Sequence, residues 1–123
     1  MIPKQVLAAW QVRKPVAALT TVSKAGVPNT VWVASISLGA GPVIVIADNY
    51  LTKTKANALE NPVGTLLFMT KENKSYQLKG RLSYHKSGQY FDHMYAVTEE
   101  KFPRHAALVL HVEEVYSGAE QLT

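Results

Sequence analysis

The sequence contains no cysteine, and this absence excludes several kinds of site. A chain without thiols cannot form a disulfide, bind zinc through thiolates or hold an iron–sulfur cluster through cysteine. Any redox chemistry would therefore need a bound organic cofactor.

Long apolar runs are missing as well. A helix that spans a bilayer needs about 20 consecutive apolar residues, and no stretch of the chain approaches that length. Residues 1–14 also lack the basic start and the long apolar centre of a secretory signal. We expect a cytoplasmic protein that does not bind membranes.

Charge of one sign is only mildly in excess. Lys and Arg number 13 against 9 Asp and Glu, and the basic residues are spread along the chain. Such a bias favours anionic partners in general, but it is weak evidence for nucleic acid, which we do not expect to be the main partner. With 123 residues, 47% of them hydrophobic, the chain is expected to form one domain over residues 1–123.

Apolar runs and turn residues predict a mainly β protein with short helices. Helices are expected at residues 3–12, at residues 52–61 and from Ser87 onward. Six strands are expected, at residues 16–22, 29–38, 43–47, 63–70, 75–84 and 106–115. Six short strands predict an antiparallel β-barrel, since closure hides the edges of the sheet.

Two of the predicted helices carry apolar side chains on one face. The second helix should present Ala56 and Leu59 as its apolar face. The third should start at a Ser87 cap and place an aromatic stripe around Tyr90 in the core. Because residues 43–47 and 106–110 are apolar at consecutive positions, both faces of the sheet should be covered, which favours a dimer.

The junction between residues 43–47 and the second helix carries Thr52, Lys53 and Thr54. Free N–H groups in the first turn of a helix, the helix dipole, hydroxyls and an ammonium together favour a bound phosphate. The two threonines are poor helix formers, and they favour this role for Lys53. Lys55 is expected to face solvent.

Other catalytic and metal-binding patterns are not found. The chain has four histidines, none of them paired at the i, i+3 or i+4 spacing that brings two ligands to one helix face, so no metal site is predicted. It has no nucleophile elbow, Walker A loop or Rossmann fingerprint. No catalytic residue is identified.

The order of the local motifs resembles the FMN-binding split barrels of the pyridoxamine 5′-phosphate oxidase-like superfamily, especially its small bacterial FMN-binding proteins. The resemblance covers nearly the whole chain. Its motifs lie at residues 18–21 (ALTT), 26–28 (GVP), 29–35, 52–57 (TKTKAN), 79–80 (KG), 106–109 (AALV) and 119–122 (AEQL).

This resemblance implies a six-stranded split barrel that forms a homodimer with two FMN molecules at its interface, the partner chain completing each pocket. The implied cofactor-binding residues are Thr30, Val31, Trp32, Val33 and Ala34 along the flavin ring, Ile46, Ala47 and Asp48 at its edge, Thr52, Lys53 and Thr54 at the phosphate, and Asn57 nearby. Trp32 either packs on the ring or fills the dimer seam. The tail at residues 117–123 either covers the neighbouring subunit's pocket or frays.

Three functions are compatible with the sequence. The first is an FMN-dependent oxidoreductase or electron-transfer protein that uses NAD(P)H or a protein redox partner. A true pyridoxamine phosphate oxidase is not expected, because the chain has no basic set for a second phosphate. The second is a small nucleic-acid-binding barrel with Tyr76 and Tyr84 exposed as stacking platforms. The third is a flavin or haem-related binding module without catalysis.

Overall fold

The computed structural model describes residues 1–123, which form one antiparallel sheet and three short helices. None of the helices has the length and hydropathy needed to cross a membrane. The elements in chain order are α1 (Lys4–Gln11), β1 (Ala17–Val22), β2 (Pro28–Val33), β3 (Ile36–Leu38), β4 (Val43–Asp48), α2 (Lys53–Glu60), β5 (Val63–Met69), β6 (Ser75–His85), α3 (Gln89–Val97), β7 (Ala106–Ser117) and β8 (Glu120–Gln121).

The strand order shows that the sheet is curled. The hydrogen-bonded order is β2-β1-β5-β6-β7-β4-β3, with β8 attached to β7. The two edge strands, β2 and β3, are separated in the chain only by Ala34 and Ser35, so the sheet must bend until its edges approach one another. No ladder pairs β2 with β3, and the result is a half-open barrel, which agrees with the mainly β split barrel predicted.

The prediction of six strands was wrong, because the strand expected at residues 29–38 is two strands. At Ala34 the chain leaves one edge of the sheet and enters the other, and this bend interrupts the ladder. The N–H of Ile36 donates to the carbonyl of Ala34 at 2.9 Å, and the N–H of Ala47 donates to the carbonyl of Ser35 at 2.9 Å. The bend thereby ties β3 to β4.

The second added strand, β8, folds the tail back onto its own chain. The N–H of Leu122 donates to the carbonyl of Val115 at 2.7 Å, and the N–H of Val115 donates to the hydroxyl of Thr123 at 3.0 Å. These bonds give the tail hydrogen-bond partners within its own chain.

The inner face of the sheet holds the main core. Leu19, Leu66, Leu78 and Leu110 are fully buried there, and burial of each stabilises the fold by about 1.5–3 kcal/mol. At one end an aromatic group closes the barrel: the Trp10 and Phe68 rings meet edge to face at 5.1 Å, and Phe68 stacks on Tyr76 at 5.5 Å. Tyr76 is only 5% exposed, so the expectation that it offers a free stacking surface was wrong.

Helix α3 covers the outer face of β4 and β7. Met94 lies there against Val43, Val45 and Val109, so one chain accounts for apolar residues on both faces of these strands. The helix begins after Gly88, whose φ of +91° suits glycine, and no side chain caps it; the predicted Ser87 cap was therefore wrong. The aromatic stripe is only partly buried, since Tyr95 is 46% exposed.

Helix α2 is rotated relative to the prediction. Its buried residues are Thr54 and Ala58, whereas Ala56 and Leu59, the expected apolar face, are exposed. Side-chain hydrogen bonds from the sheet explain this orientation. The Asn29 amide donates to the Thr54 hydroxyl at 3.2 Å, which turns that side of the helix inward.

Candidate functional site

Two neighbouring cavities lie where β4 leads into α2. The first, which we call the β2 cavity, has a volume of about 360 Å³ and a largely apolar lining. The second, the α2 cavity, has a volume of about 350 Å³ and a more polar lining. The two share the segment at residues 49–51 as a common wall. The β2 cavity is lined by residues 31–35, Ala47, residues 49–51 and Phe102, and the α2 cavity by residues 48–52, Lys55, Tyr84 and His105.

Strand β2 supplies the wall of the β2 cavity. The alternation of side chains along a strand buries Val33 in the core, half-buries Val31 and turns Thr30, Trp32 and Ala34 outward. Trp32 is 73% exposed, so its indole presents a wide apolar surface at the cavity mouth. The five residues predicted along this segment, four on β2 and Ala34 directly after it, therefore divide into two that pack inward and three that face outward.

Strand β4 contributes main-chain atoms, the Ala47 side chain and the carboxylate of Asp48 to the walls of the two cavities. Ile46 is fully buried in the core, so only its main chain is available to a ligand, while Ala47 lines the β2 cavity. Asp48 is 3% exposed, and its carboxylate accepts hydrogen bonds from the Tyr84 hydroxyl and from the N–H of Leu51, the latter at 3.0 Å. The pairing of Asp48 fixes the turn that separates the two cavities.

Tyr84 is a site residue that the sequence did not reveal. Burial raises the pKa of Tyr84, and the hydrogen bond and the negative charge of Asp48 raise it further, so the phenol stays protonated at neutral pH. It is half-buried and bonded to Asp48, which makes the expected role as a free stacking platform wrong. Its partner lies 36 residues away in the chain, a distance that no local pattern signals.

Lys55 also differs from expectation. It is half-buried, lines the α2 cavity, and its Nζ lies 5.3 Å from the centre of the Tyr84 ring. Lys53, two residues earlier, is exposed and lines neither cavity. The structure thus places Lys55, not Lys53, beside Thr52 in the cavity wall.

The start of α2 offers unpaired donors. No side chain caps the helix, and the first bond of its ladder runs from the N–H of Ala56 to the carbonyl of Thr52 at 3.1 Å. The N–H groups of residues 53–55 precede that bond and have no partner within the helix. Thr52 is exposed beside them, so this end of the α2 cavity suits an anion.

Thr54 and Asn57 fasten the helix to the sheet. The Thr54 hydroxyl accepts from the Asn29 amide, and the Asn57 amide donates to the Thr21 hydroxyl at 3.1 Å. Both side chains therefore face β1 and β2, away from the open part of the α2 cavity. These two hydrogen bonds hold the start of α2 in position against the sheet.

The arrangement can accommodate a flat apolar group next to an anionic one. The β2 cavity supplies an apolar wall with aromatic side chains at its rim, and the α2 cavity supplies N–H donors, a hydroxyl and an ammonium. No group of three or more His, Cys, Asp or Glu side chains converges anywhere in the chain. An organic mononucleotide has the two-part chemistry that these cavities match.

Sequence comparison links the chain to one family. The family model described as pyridoxamine 5′-phosphate oxidase matches residues 2–118. An uncharacterised protein of Methanocaldococcus jannaschii is 33% identical over 104 residues, which are 80% of this chain and 70% of that protein.

Solved structures share the fold. HupZ of Group A Streptococcus superposes with a TM-score of 0.83 at 20% identity, covering 95% of this chain and 94% of that chain. An FMN-binding protein of Syntrophomonas wolfei subsp. wolfei superposes with a TM-score of 0.77 at 19% identity, covering 94% of this chain and 82% of that chain. At these identities the likeness establishes the architecture alone.

Proposed function

Since the chain belongs to the pyridoxamine 5′-phosphate oxidase family, we propose that it binds FMN and acts as an oxidoreductase or electron carrier. The bound flavin would supply the redox chemistry, and the protein would position it and shield it from water. The observation that carries this proposal is the pair of adjoining cavities, one apolar and one rich in donors, on either side of residues 49–51.

Each cavity would take one part of the cofactor. The ring system would lie in the β2 cavity against the strand from Thr30 to Ala34, with the main chain of Ile46 and the side chain of Ala47 at its edge. The phosphate would bind at the start of α2, where Thr52, Lys53, Thr54 and Lys55 supply N–H groups, a hydroxyl and positive charge. Asp48 and Asn57 would hold the walls in place through Tyr84 and Thr21.

A second copy of the chain would complete the β2 cavity. Trp32 and Tyr50 are 73% and 76% exposed at its rim. Two large aromatic side chains exposed at one cavity rim form an apolar surface of the kind that a protein partner covers. The strand register places Ala18 directly opposite both Trp32 and Leu67, so these three side chains form an outward row across β2, β1 and β5. A homodimer that covers this row would bury the apolar surface and enclose the ring.

Of the two alternative functions, the structure argues against nucleic-acid binding and is compatible with a flavin-binding module that has no catalytic activity. The nucleic-acid hypothesis relied on exposed Tyr76 and Tyr84, and neither side chain is free. A flavin-binding module without catalysis keeps the same cavities and differs only in reactivity. Reduction of the bound cofactor by NADH, NADPH or a protein donor at a useful rate would separate the enzyme or carrier from a passive binder.

The experiment for FMN binding is direct. The protein is purified without added cofactor, its visible spectrum is recorded, and any molecule released by heat is identified by mass. We expect a yellow protein that releases FMN. A colourless protein that does not quench the fluorescence of added FMN would contradict the proposal, and so would release of a haem in place of a flavin.

A further inference from the structure

A cluster of polar side chains lies on the outer face of the sheet, beside the start of α3 and apart from the two cavities. Side chains at alternate positions of a strand share a face, which groups Ser83 with His85 on β6. The register pairs Ser83 with Val109, and His111 lies two residues further along β7 on the same face. His111 is therefore the diagonal neighbour of Ser83, and the cluster joins two strands.

The two histidines converge on one point. The Nε2 atoms of His85 and His111 each lie 2.7 Å from the Ser83 hydroxyl oxygen, so they are no more than twice that distance apart. The hydroxyl has one proton and can donate to only one ring, and the other ring must donate its own Nε2 proton. The Nε2 atoms of both imidazole rings thus point at one oxygen atom, that of the Ser83 hydroxyl.

Tyr90 holds both rings in place. Its ring lies 5.1 Å from that of His85 and 6.0 Å from that of His111, in an edge-to-face arrangement with each. Rings that are fixed by packing bind metal with little reorganisation.

We propose that His85 and His111 form a two-histidine site for a divalent transition metal such as zinc, copper or nickel. Metal–nitrogen bonds are about 2.0–2.1 Å long, so small rotations of the two rings would bring both Nε2 atoms onto a metal close to the present position of the hydroxyl. Ser83 would turn aside or become a weak ligand. Water would take the remaining coordination positions.

The donor set selects the class of metal. Imidazole suits zinc, copper and nickel, whereas calcium and magnesium need several oxygen ligands. The chain has no group of three or more His, Cys, Asp or Glu side chains, so no carboxylate joins this pair. The sequence did not predict the site because its spacing rule applies to helices, and here the ligands come from two paired strands.

The test is zinc titration of the full-length, tag-free protein after metal removal, followed by calorimetry. We expect one zinc ion per chain. His85→Gln and His111→Gln should each weaken binding by about tenfold or more. Ser83→Ala should leave the affinity little changed, because the metal replaces the hydrogen bonds of the hydroxyl. His93→Gln is the matched control and should bind zinc as the unmodified protein does, since His93 lies further along α3 and bonds to Ser37 on β3.

A second measurement needs no variant. In nitrogen-15 spectra of the unmodified protein, zinc should shift the Nε2 signals of two of the four histidines. The proposal is overturned if no zinc binds at one ion per chain, if His93→Gln weakens binding as much as His85→Gln does, or if zinc shifts the signals of all four histidines alike.

Discussion

The hydroxyl of Tyr84 on β6 donates a hydrogen bond to the buried carboxylate of Asp48 at the end of β4, and this bond forms the floor of the α2 cavity. The other carboxylate oxygen accepts the N–H of Leu51 at 3.0 Å. The Asp48 side chain therefore links β6 to the turn that separates the two cavities. We expect that loss of the bond between Tyr84 and Asp48 would lower both the stability of the protein and its affinity for the cofactor.

Tyr84→Phe should destabilise the protein and weaken FMN binding. The substitution leaves one oxygen of the buried Asp48 without a partner, at a cost of about 1–3 kcal/mol. Urea unfolding measures the stability change and flavin fluorescence the affinity. Tyr116→Phe is the matched control, because that hydroxyl bonds to Glu114 on the surface and its loss should change little. Equal effects of the two variants would contradict the role given to Asp48.

The same pair predicts a pH dependence. The pKa of Tyr84 is raised above its ordinary value of about 10, so folding favours the protonated phenol. The stability that it contributes is complete below about pH 10 and is lost as the pH rises from there towards the folded-state pKa. The difference in unfolding free energy between the unmodified protein and Tyr84→Phe should therefore shrink above about pH 10. A difference that stays constant up to about pH 11 would count against this assignment.

Lys55→Ala should weaken FMN more than riboflavin, because the ammonium beside Thr52 would contact only the phosphate. A charge-assisted hydrogen bond of this kind is worth about 1.5–3 kcal/mol. Lys53→Ala is the matched control on the same helix, and the exposure of Lys53 predicts a smaller effect. Dissociation constants for both flavins give the comparison. A larger loss for Lys53→Ala would move the phosphate to the solvent side of α2, as the sequence pattern suggested.

Leu67→Asp should convert a dimer into a monomer. Leu67 lies in the outward row with Trp32 and Ala18, and a carboxylate there would have to be desolvated in the interface. Light scattering after gel filtration should report a mass near the chain mass of 13.5 kDa. Leu59→Asp places the same charge on an exposed residue of α2 and should leave the dimer intact. If both variants keep the mass of the unmodified protein, the interface lies elsewhere.

Gly80→Ala should be severely destabilising. Gly80 lies at the irregular pairing of β6 with β7, where a Cβ atom would come within 1.8 Å of the carbonyl oxygen of His111. That contact is with backbone and cannot be relieved by rotating a side chain, so we expect a loss of about 4 kcal/mol or failure to fold. Gly26→Ala is the control: its φ of +85° costs about 1 kcal/mol, and a Cβ there meets no atom within 4 Å. Thermal unfolding of the two variants distinguishes these effects.

The sequence predicted the elements that depend on local pattern. Apolar runs predicted β4 and the first part of β7, and the strands expected at residues 63–70 and 75–84 correspond to β5 and β6. These features follow from short apolar runs and from turn chemistry, both of which are visible within a few positions.

The remaining features depend on contacts between distant segments. The bend at Ala34 exists because the sheet curls until its edges approach, which is a property of the whole strand order. The orientation of α2 is decided by Asn29, which pairs with Thr54 against the apolar preference of Leu59. Tyr84 and Asp48 meet across the sheet, so neither local composition nor spacing could reveal the pair.

The most direct test of the FMN site is a crystal structure of the protein grown with FMN. We expect the phosphate at the start of α2 beside Thr52, with the ring system against the outer side of β2 and enclosed by a second chain. A flavin phosphate bound away from α2, or a ring that does not touch β2, would contradict it.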